Sequence, residues 1–125
     1  MIILDETRII IAGSRYFTDY DLLKKKCAKI SELKNPVIIS GHAKGADVLG
    51  ERFAREHNIP LKIFPANWEK YGNKAGPIRN EEMAKYASKA NKSYLVAFPL
   101  GESRGTMNMI NVAKQHGLKV YVVHS

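Results

Sequence analysis

The sequence contains a single cysteine, Cys27, among its 125 residues. One cysteine excludes an internal disulfide and any metal site built on several cysteines. Long apolar runs are also missing, since no stretch approaches the roughly 20 residues that a helix spanning a bilayer needs. The segment from Met1 to Thr7 has acidic residues where a signal peptide would have a basic region and an apolar core. We therefore expect a cytoplasmic protein without a membrane partner.

Two common nucleotide-binding fingerprints are absent as well. The stretch Gly41-His42-Ala43-Lys44-Gly45 lacks the Walker spacing G-x-x-x-x-G-K-[ST]. The stretch Gly13-Ser14-Arg15 lacks the dinucleotide pattern G-x-G-x-x-G. These absences disfavour a kinase and a nicotinamide-dependent enzyme. Because no second histidine or cysteine stands near His42 at metal-ligand spacing, we expect no metal site, and we expect no cofactor.

The composition is that of a globular protein, with 45% hydrophobic and 26% charged residues. At this length we expect one domain covering residues 1–125. The formal net charge of +8 favours anionic partners, either nucleotides or a nucleic-acid backbone. Lys24-Lys25-Lys26 is the only basic triplet, and the other cationic residues are interspersed with acids. Nucleic acid is therefore a possible partner but a less favoured one than a small molecule.

Five short apolar runs alternate with four segments of helical periodicity. The runs cover residues 8–12, 37–39, 61–64, 94–98 and 120–123. This alternation predicts an α/β fold, with a five-stranded parallel sheet between two helical layers and the strand order 3-2-1-4-5. Thr18 with Asp21 predicts a capping box before the first helix, and Pro77 is expected as the first residue of the third. The segment from Pro65 to Gly76 is predicted to be the longest irregular segment.

Three loops rich in glycine and small polar residues follow apolar runs. They contain Gly13-Ser14-Arg15, then Gly41 to Asp47, then Pro99 to Thr106. In the expected topology all three lie at the carboxyl edge of the sheet, near the switch point between the first and fourth strands, where ligands bind in such folds. The last loop leads into a helix whose free N–H groups and positive dipole end favour phosphate or carboxylate.

Three arginines are candidates for binding phosphate through the planar guanidinium group: Arg15, Arg79 and Arg104. The alternative for each is a surface ion pair. Arg104 is favoured because it lies inside the third loop. Arg79 lies in the first turn of its helix, where the helix dipole disfavours a cation, and this placement suggests a specific role.

Other candidates have more than one interpretation. Trp68 and Tyr71 can stack on a purine or close the end of the hydrophobic core. Asp47 can cap its helix or hold a ribose hydroxyl, and the cap is favoured. Cys27 lies on an apolar helical stripe and is expected in the core.

Taken together, the motifs resemble the YspA-type branch of the SLOG superfamily. They are Gly13-Ser14-Arg15 with Phe17 and Asp19, Ser40 to Asp47, Asn67-Trp68 with Ala75 to Met83, and Phe98 with Ser103 to Thr106. The resemblance covers nearly the whole chain and implies a Rossmann-like domain that binds nucleotides or nucleotide-derived ligands. The superfamily also includes the LOG phosphoribohydrolases, the DprA single-strand DNA binders and sensor domains of bacterial defence systems.

On this resemblance the ligand-binding residues fall into four groups. They are Gly13, Ser14 and Arg15; Gly41, His42, Lys44, Gly45 and Asp47; Trp68, Arg79 and Asn80; and Ser103, Arg104, Gly105 and Thr106. Arg79 resembles the LOG arginine at its helix start and is the one candidate catalytic residue. LOG enzymes carry P-G-G-x-G-T-x-x-E, whose glutamate assists cleavage of the base–ribose bond. Here Met109 stands at the glutamate position, and Glu81, Glu82 or Asp47 would have to substitute.

The leading hypothesis is therefore a binding domain for a phosphorylated nucleoside or a signal derived from one. A phosphoribohydrolase that cleaves nucleoside monophosphates and a DprA-like single-strand binder are the alternatives. We also expect a homodimer or a larger even assembly. Met83, Ala84, Ala87 and Ala90 give the third helix an apolar face that looks wider than one sheet contact requires, and relatives in the superfamily commonly pair.

Overall fold

The computed structural model describes residues 4–124 and confirms the predicted α/β architecture. Its five strands form one parallel sheet in the order β3-β2-β1-β4-β5, as expected for a Rossmann-like fold. The strands are β1 (Leu4–Gly13), β2 (Pro36–Ser40), β3 (Leu61–Ile63), β4 (Ala90–Phe98) and β5 (Lys119–Val122). The order reverses between β1 and β4, which sets the switch point of the sheet.

Among residues 4–124, five α-helices and one 3₁₀ turn connect the strands. The helices are α1 (Tyr20–Ser31), α2 (Ala46–Glu56), α3 (Trp68–Tyr71), α4 (Ala75–Ser88) and α5 (Arg104–Gln115), and the 3₁₀ turn covers Gly72–Lys74. Within residues 4–124, no helix has the length and apolar character needed to cross a bilayer.

The hydrophobic core has two halves, one on each face of the sheet. Ile9 and Ile11 of β1 pack with buried residues of α1 and α2, among them Leu23 and Phe53. Ile10 and its neighbours on the other face pack against buried residues of α4 and α5. This alternation follows from the two-residue period of a strand, and it explains why β1 reads as a continuous apolar run.

Local details of three helices differ from the predictions. The N-cap of α1 is Asp19 rather than Thr18, and its carboxylate accepts a hydrogen bond of 3.0 Å from the Leu22 N–H. The segment predicted to be irregular contains α3, which Asn67 caps in the same way. Helix α4 begins at Ala75, so Pro77 is its third residue rather than its first. Proline is tolerated there because the first-turn N–H groups have no partner within the helix.

The apolar face of α4 is covered within the subunit. Met83, Ala84 and Ala87 are buried in the core, and Ala90, also buried, is the first residue of β4. The expectation that this face is wider than its own core requires was therefore wrong. The small alanine side chains let α4 pack closely on the sheet and on α5, so this helix face offers no surface for a second subunit.

Candidate ligand-binding cleft

A cleft of about 980 Å³ opens at the carboxyl edge of the sheet, beside the switch point between β1 and β4. Every predicted site residue except Gly45 lines it. These residues are Gly13, Ser14, Arg15, Gly41, His42, Lys44, Asp47, Trp68, Arg79, Asn80, Ser103, Arg104, Gly105 and Thr106. The fold therefore brings together loops that are far apart in sequence.

Ser14 joins the first loop to the rest of the site. Its N–H donates to the Phe98 carbonyl at the end of β4 (3.0 Å), and its own carbonyl accepts from Ala46 N–H at the start of α2 (3.2 Å). Its hydroxyl accepts from the Tyr16 N–H at 3.1 Å. Ser14 is buried, so its side chain stabilises the loop while the neighbouring Arg15 side chain remains exposed.

Two glycines are needed for this close packing. A Cβ on Gly13 would collide with the Phe98 carbonyl oxygen. Gly45 has φ +79°, and a Cβ there would collide with the Ser14 carbonyl oxygen. Gly45 is the N-cap of α2 and does not line the cleft. Its role is structural, because the missing side chain lets the second loop pack against the first.

Arg79 is the fifth residue of α4, past the first turn in which it was predicted because the helix begins at Ala75, and it reaches to the end of β2. Its Nη1 donates to the Gly41 carbonyl at 2.7 Å, and its Nε donates to Asn80 Oδ1 at 2.9 Å. Within the described residues, Nη2 makes no hydrogen bond to protein and is available to a ligand. A Cβ on Gly41 would lie 2.6 Å from Arg79 Nη1 and 2.9 Å from Asp47 Oδ2, so a larger residue there would displace these two side chains.

Asp47 is 5% exposed, and its carboxylate accepts a hydrogen bond of 3.3 Å from the Ala43 N–H. It does not cap α2, contrary to the favoured expectation, because the N-cap position belongs to Gly45. Burial raises the pKa of Asp47 to about 6, and the nearby Glu51 adds to the rise, while the Ala43 N–H and Arg79 oppose it. Asp47 is thus a carboxyl group that can change its charge near neutral pH.

Glu51 was missed by the sequence interpretation. It is 1% exposed, and its Oε2 lies 2.8 Å from Ser40 Oγ and 2.8 Å from His42 Nδ1. The available signal was its spacing: Asp47 and Glu51 are four residues apart on α2, so both fall on the same side of the helix. Ala54, at i+7 from Asp47 and i+3 from Glu51, shares that side of the helix and lies in the core, which indicates a buried polar cluster rather than a solvated face.

The N-terminus of α5 forms the opposite wall. Ser103 precedes the helix, and its hydroxyl lies 2.6 Å from the Thr106 hydroxyl. A Cβ on Gly105 would meet no atom within 4 Å, so this part of the helix is open to the cleft. Arg104, the first helical residue, is exposed. This wall therefore combines a cation with the positive end of a helix dipole.

Asn80 connects this wall to α4. Its amide nitrogen donates to Asn108 Oδ1 at 2.9 Å and to the Gly105 carbonyl at 3.4 Å. Asn108 also lines the cleft and was not predicted. Since the Asn80 side chain also accepts from Arg79, this amide fixes the position of the arginine relative to α5.

The aromatic residues of α3 have different positions. Trp68 lines the cleft and is 52% exposed, with the edge of its ring 3.5 Å from the position of a Cβ on Gly76. Tyr71 is exposed but does not line the cleft. Tyr16, which was not predicted, also lines the cleft and is highly exposed. Neither Trp68 nor Tyr71 belongs to the buried core.

The charge of the cleft wall is predominantly positive. Four cationic side chains line it, against two carboxylates: Arg15, Lys44, Arg79 and Arg104 against Asp47 and Glu102. Lys24, Lys25 and Lys26 are exposed on α1 and do not line the cleft. The cleft is therefore suited to a compact anion rather than forming part of a long basic track.

The position of the LOG glutamate is apolar here. Met109 lines the cleft and is almost fully buried. Of the three carboxylates that could substitute, only Asp47 lines the cleft. Glu81 instead lies 2.5 Å from the His116 ring on the outside of the helical layer, and Glu82 is exposed.

A parallel α/β sheet with an anion-attracting cleft at its switch point defines the Rossmann-like class of domains. Residues 7–71 match the model of a family described as YspA, cpYpsA-related SLOG. The chain is 34% identical over 122 residues to the Gene 61 protein of Mycobacterium phage D29, which covers 90% of this chain and 93% of that protein. The chain belongs to this SLOG family, which is associated with nucleotide-related ligands in general. No solved structure matches it.

The raised pKa of Asp47 predicts how stability depends on pH. The folded state holds the Asp47 proton up to about pH 6, whereas an aspartate in the unfolded chain has its ordinary pKa of 3.8. Ionisation therefore destabilises the fold as the pH rises through this window, by about 3 kcal/mol in total. Asp47→Asn removes this penalty, so urea unfolding should show the variant gaining about that much relative to wild type from about pH 4 to about pH 8. Parallel stability curves would contradict this assignment.

Proposed function

We propose that the cleft binds a nucleotide or a nucleotide-derived ligand. The observation that carries this proposal is the convergence of Arg15, Lys44, Arg79 and Arg104 on one cleft with the open N-terminus of α5. Cations and free helical N–H groups are the two elements that bind phosphate most often. The volume of about 980 Å³ lies within the range of small-molecule sites and accommodates a base and sugar as well as phosphate.

In this proposal the phosphate lies at the N-terminus of α5. Gly105 has no Cβ to hold the ligand away from the backbone, and the space beside it is open. Arg104 supplies a charge-assisted contact at the same place, and Ser103 and Thr106 supply hydroxyl groups. Arg79 Nη2, on the α4 wall, approaches the ligand from the side.

The base is proposed to stack on Trp68. About half of this side chain is exposed to solvent, although burying the apolar surface of an indole ring is energetically favourable. The edge of its ring lies near Gly76, where the absence of a Cβ leaves room beside the indole. An aromatic face attracts every base, so this contact supplies affinity without selecting one base.

Arg104→Ala tests the phosphate contact. Loss of a charge-assisted hydrogen bond should weaken binding of a nucleoside monophosphate by about 1.5–3 kcal/mol, at least tenfold in affinity, as measured by calorimetry. Arg104 is exposed, so the variant should retain the wild-type melting temperature. Lys114→Ala, which removes a cation from the last turn of the same helix, is the matched control. Equal affinities for both variants would remove Arg104 from the site.

A second candidate function is hydrolysis of the base–ribose bond, and the position of Asp47 favours it. In this reaction the oxygen of water bonds to C1′, the C1′–N bond breaks with its electron pair on the base, and one proton of water passes to the base. Positive charge develops on the sugar, and a carboxylate beside it is stabilising. Asp47 is a buried carboxyl beside Arg79, although Met109 occupies the position of the LOG glutamate.

Binding without turnover is the outcome we expect, because the apolar Met109 cannot stabilise a developing cation. Incubation with nucleoside monophosphates, followed by chromatography, should show no protein-dependent release of free base. Sustained release that both Asp47→Asn and Arg79→Ala abolish would establish the hydrolase instead. Release that survives both substitutions would indicate a contaminating enzyme.

We also propose that the protein self-associates through the exposed aromatic surface of α3, since the face of α4 is covered. Tyr71 is 38% exposed and lies outside the cleft wall, so it can be altered without touching the proposed ligand. Light scattering at high micromolar concentration should give a dimer mass for wild type and a monomer mass for Tyr71→Glu. Val122→Glu, at a residue of similar exposure (39%) on the edge strand β5, should remain a dimer. A monomeric wild type, with nucleotide present, would exclude self-association.

A further inference from the structure

A hydrogen-bonded cluster around the buried Glu51 carboxylate lies next to the cleft, which His42 of this cluster lines. Glu51 Oε2 accepts a hydrogen bond from Ser40 Oγ and lies 2.8 Å from His42 Nδ1. The Ser40 hydroxyl in turn accepts from the His42 backbone N–H at 3.0 Å. Arg55, which is exposed, approaches the other carboxylate oxygen at 3.4 Å. Among the described residues, Glu51 is thus the common partner of Ser40, His42 and Arg55.

This cluster fixes the tautomer of His42. The Ser40 hydroxyl accepts from the His42 N–H and donates to Glu51 Oε2, and we assign the proton shared by the same Oε2 and the His42 ring to Nδ1. In the neutral ring the other nitrogen, Nε2, is then an acceptor. The backbone at His42 has φ +61°, a conformation that is uncommon for a residue other than glycine. Both the ring and the backbone are held, which is typical of a side chain that must present one atom in one direction.

Acceptors are in the minority among the side chains that give this cleft its charge: Asp47 and Glu102 stand against four cations, and the His42 ring adds one more acceptor. Phosphate oxygens accept hydrogen bonds, so phosphate is matched by the donors of Arg15, Lys44, Arg79 and Arg104 and not by His42 Nε2. The group that binds beside His42 must donate. His42 directly follows Gly41, whose carbonyl accepts a hydrogen bond from Arg79. The proposed acceptor, Nε2, therefore belongs to a residue close to a cation that suits phosphate. In a nucleotide the donors nearest to the phosphate are the hydroxyl groups of the sugar.

We infer that His42, held by Glu51, accepts a hydrogen bond from a ribose hydroxyl, and that the cleft therefore selects ribonucleotides over deoxyribonucleotides. This inference rests on the proposed binding of nucleotides. His42 is the specificity residue, because its Nε2 contacts the ligand. Glu51 and Ser40 are positioning residues that act through the tautomer and the orientation of the ring. A deoxyribose in the same place leaves Nε2 facing a carbon, and the unmatched acceptor disfavours that ligand.

The ligand arm of the test compares adenosine monophosphate with its 2′-deoxy and 3′-deoxy forms by calorimetry. Wild type should bind the ribonucleotide about tenfold more tightly than one of the two deoxy forms. His42→Asn tolerates the positive φ but is too short to replace Nε2, so its preference should fall to about twofold or less. Its affinity for the disfavoured deoxy form should stay at the wild-type value, which shows that the phosphate contacts remain. The matched control is His57→Asn at the far end of α2, which should keep the full preference.

The positioning role of Glu51 has a readout that needs no ligand. NMR chemical shifts of the His42 ring nitrogens should show a protonated Nδ1 in wild type. Gln in place of Glu51 can donate as well as accept, so Glu51→Gln should give a mixture of the two tautomers together with a reduced ribose preference. Circular dichroism and thermal unfolding establish that each variant is folded. A wild-type ring that carries a proton on Nε2, either alone or together with one on Nδ1, would overturn the inference, whatever the binding data.

The outcomes separate this inference from the proposed function. Equal affinity of wild type for all three nucleotides, or a preference that survives His42→Asn, overturns the role of His42 and leaves nucleotide binding intact. Absence of binding by all three, with Arg104→Ala behaving as wild type, overturns both. A preference lost in His42→Asn and kept in His57→Asn supports the inference.

Discussion

The cleft depends on the hydrogen bonds of one backbone unit, that of Ser14. Its N–H is bonded to the end of β4, and its carbonyl is bonded to the first residue of α2. These bonds form only because Gly13 and Gly45 carry no Cβ and allow three backbone segments to meet. The sheet places the loops at one edge, but this contact brings them close enough to form a single wall. A substitution that separates the segments would open the cleft even if every ligand-facing side chain were kept.

The buried side of α2 carries two acidic side chains, which is unusual for a helix packed on a sheet. Asp47 and Glu51 are both buried, one turn apart, although burial of a carboxylate is unfavourable unless it is well hydrogen-bonded. Glu51 has such partners in Ser40 and His42, whereas Asp47 has a longer bond to Ala43 and a raised pKa. Repulsion from Glu51 adds to the free-energy cost of ionising Asp47. A buried pair of acids is unfavourable for the stability of the protein. Such pairs are found at functional sites, and these two acids lie next to a cleft lined by cations.

Much of the fold follows from sequence pattern, because each strand of a covered parallel sheet is an apolar run and each crossover must be right-handed. Loop positions followed from the same topology, so the residues of the cleft could be predicted although they are scattered along the chain. The errors have local causes. Thr18 and Asp19 are both good caps, and only the backbone geometry selects one. The alanine-rich face of α4 looked free because a sequence does not show how closely a helix approaches its sheet. Glu51 was missed because a buried acid resembles a solvated one until its partners are known.

The arrangement of polarity in the cleft distinguishes recognition from simple attraction of anions. A site that only collected phosphate would need cations and helix N–H groups, and the wall formed by Arg104 and the start of α5 supplies these. His42 and Asp47 add acceptors close to Arg79 and Lys44, and each is held by a protein hydrogen bond. Acceptors placed between donors restrict the orientations in which an asymmetric ligand can bind. Because the apolar Met109 borders the same space without supplying charge, the arrangement supports the proposed binding of a nucleotide more than its cleavage.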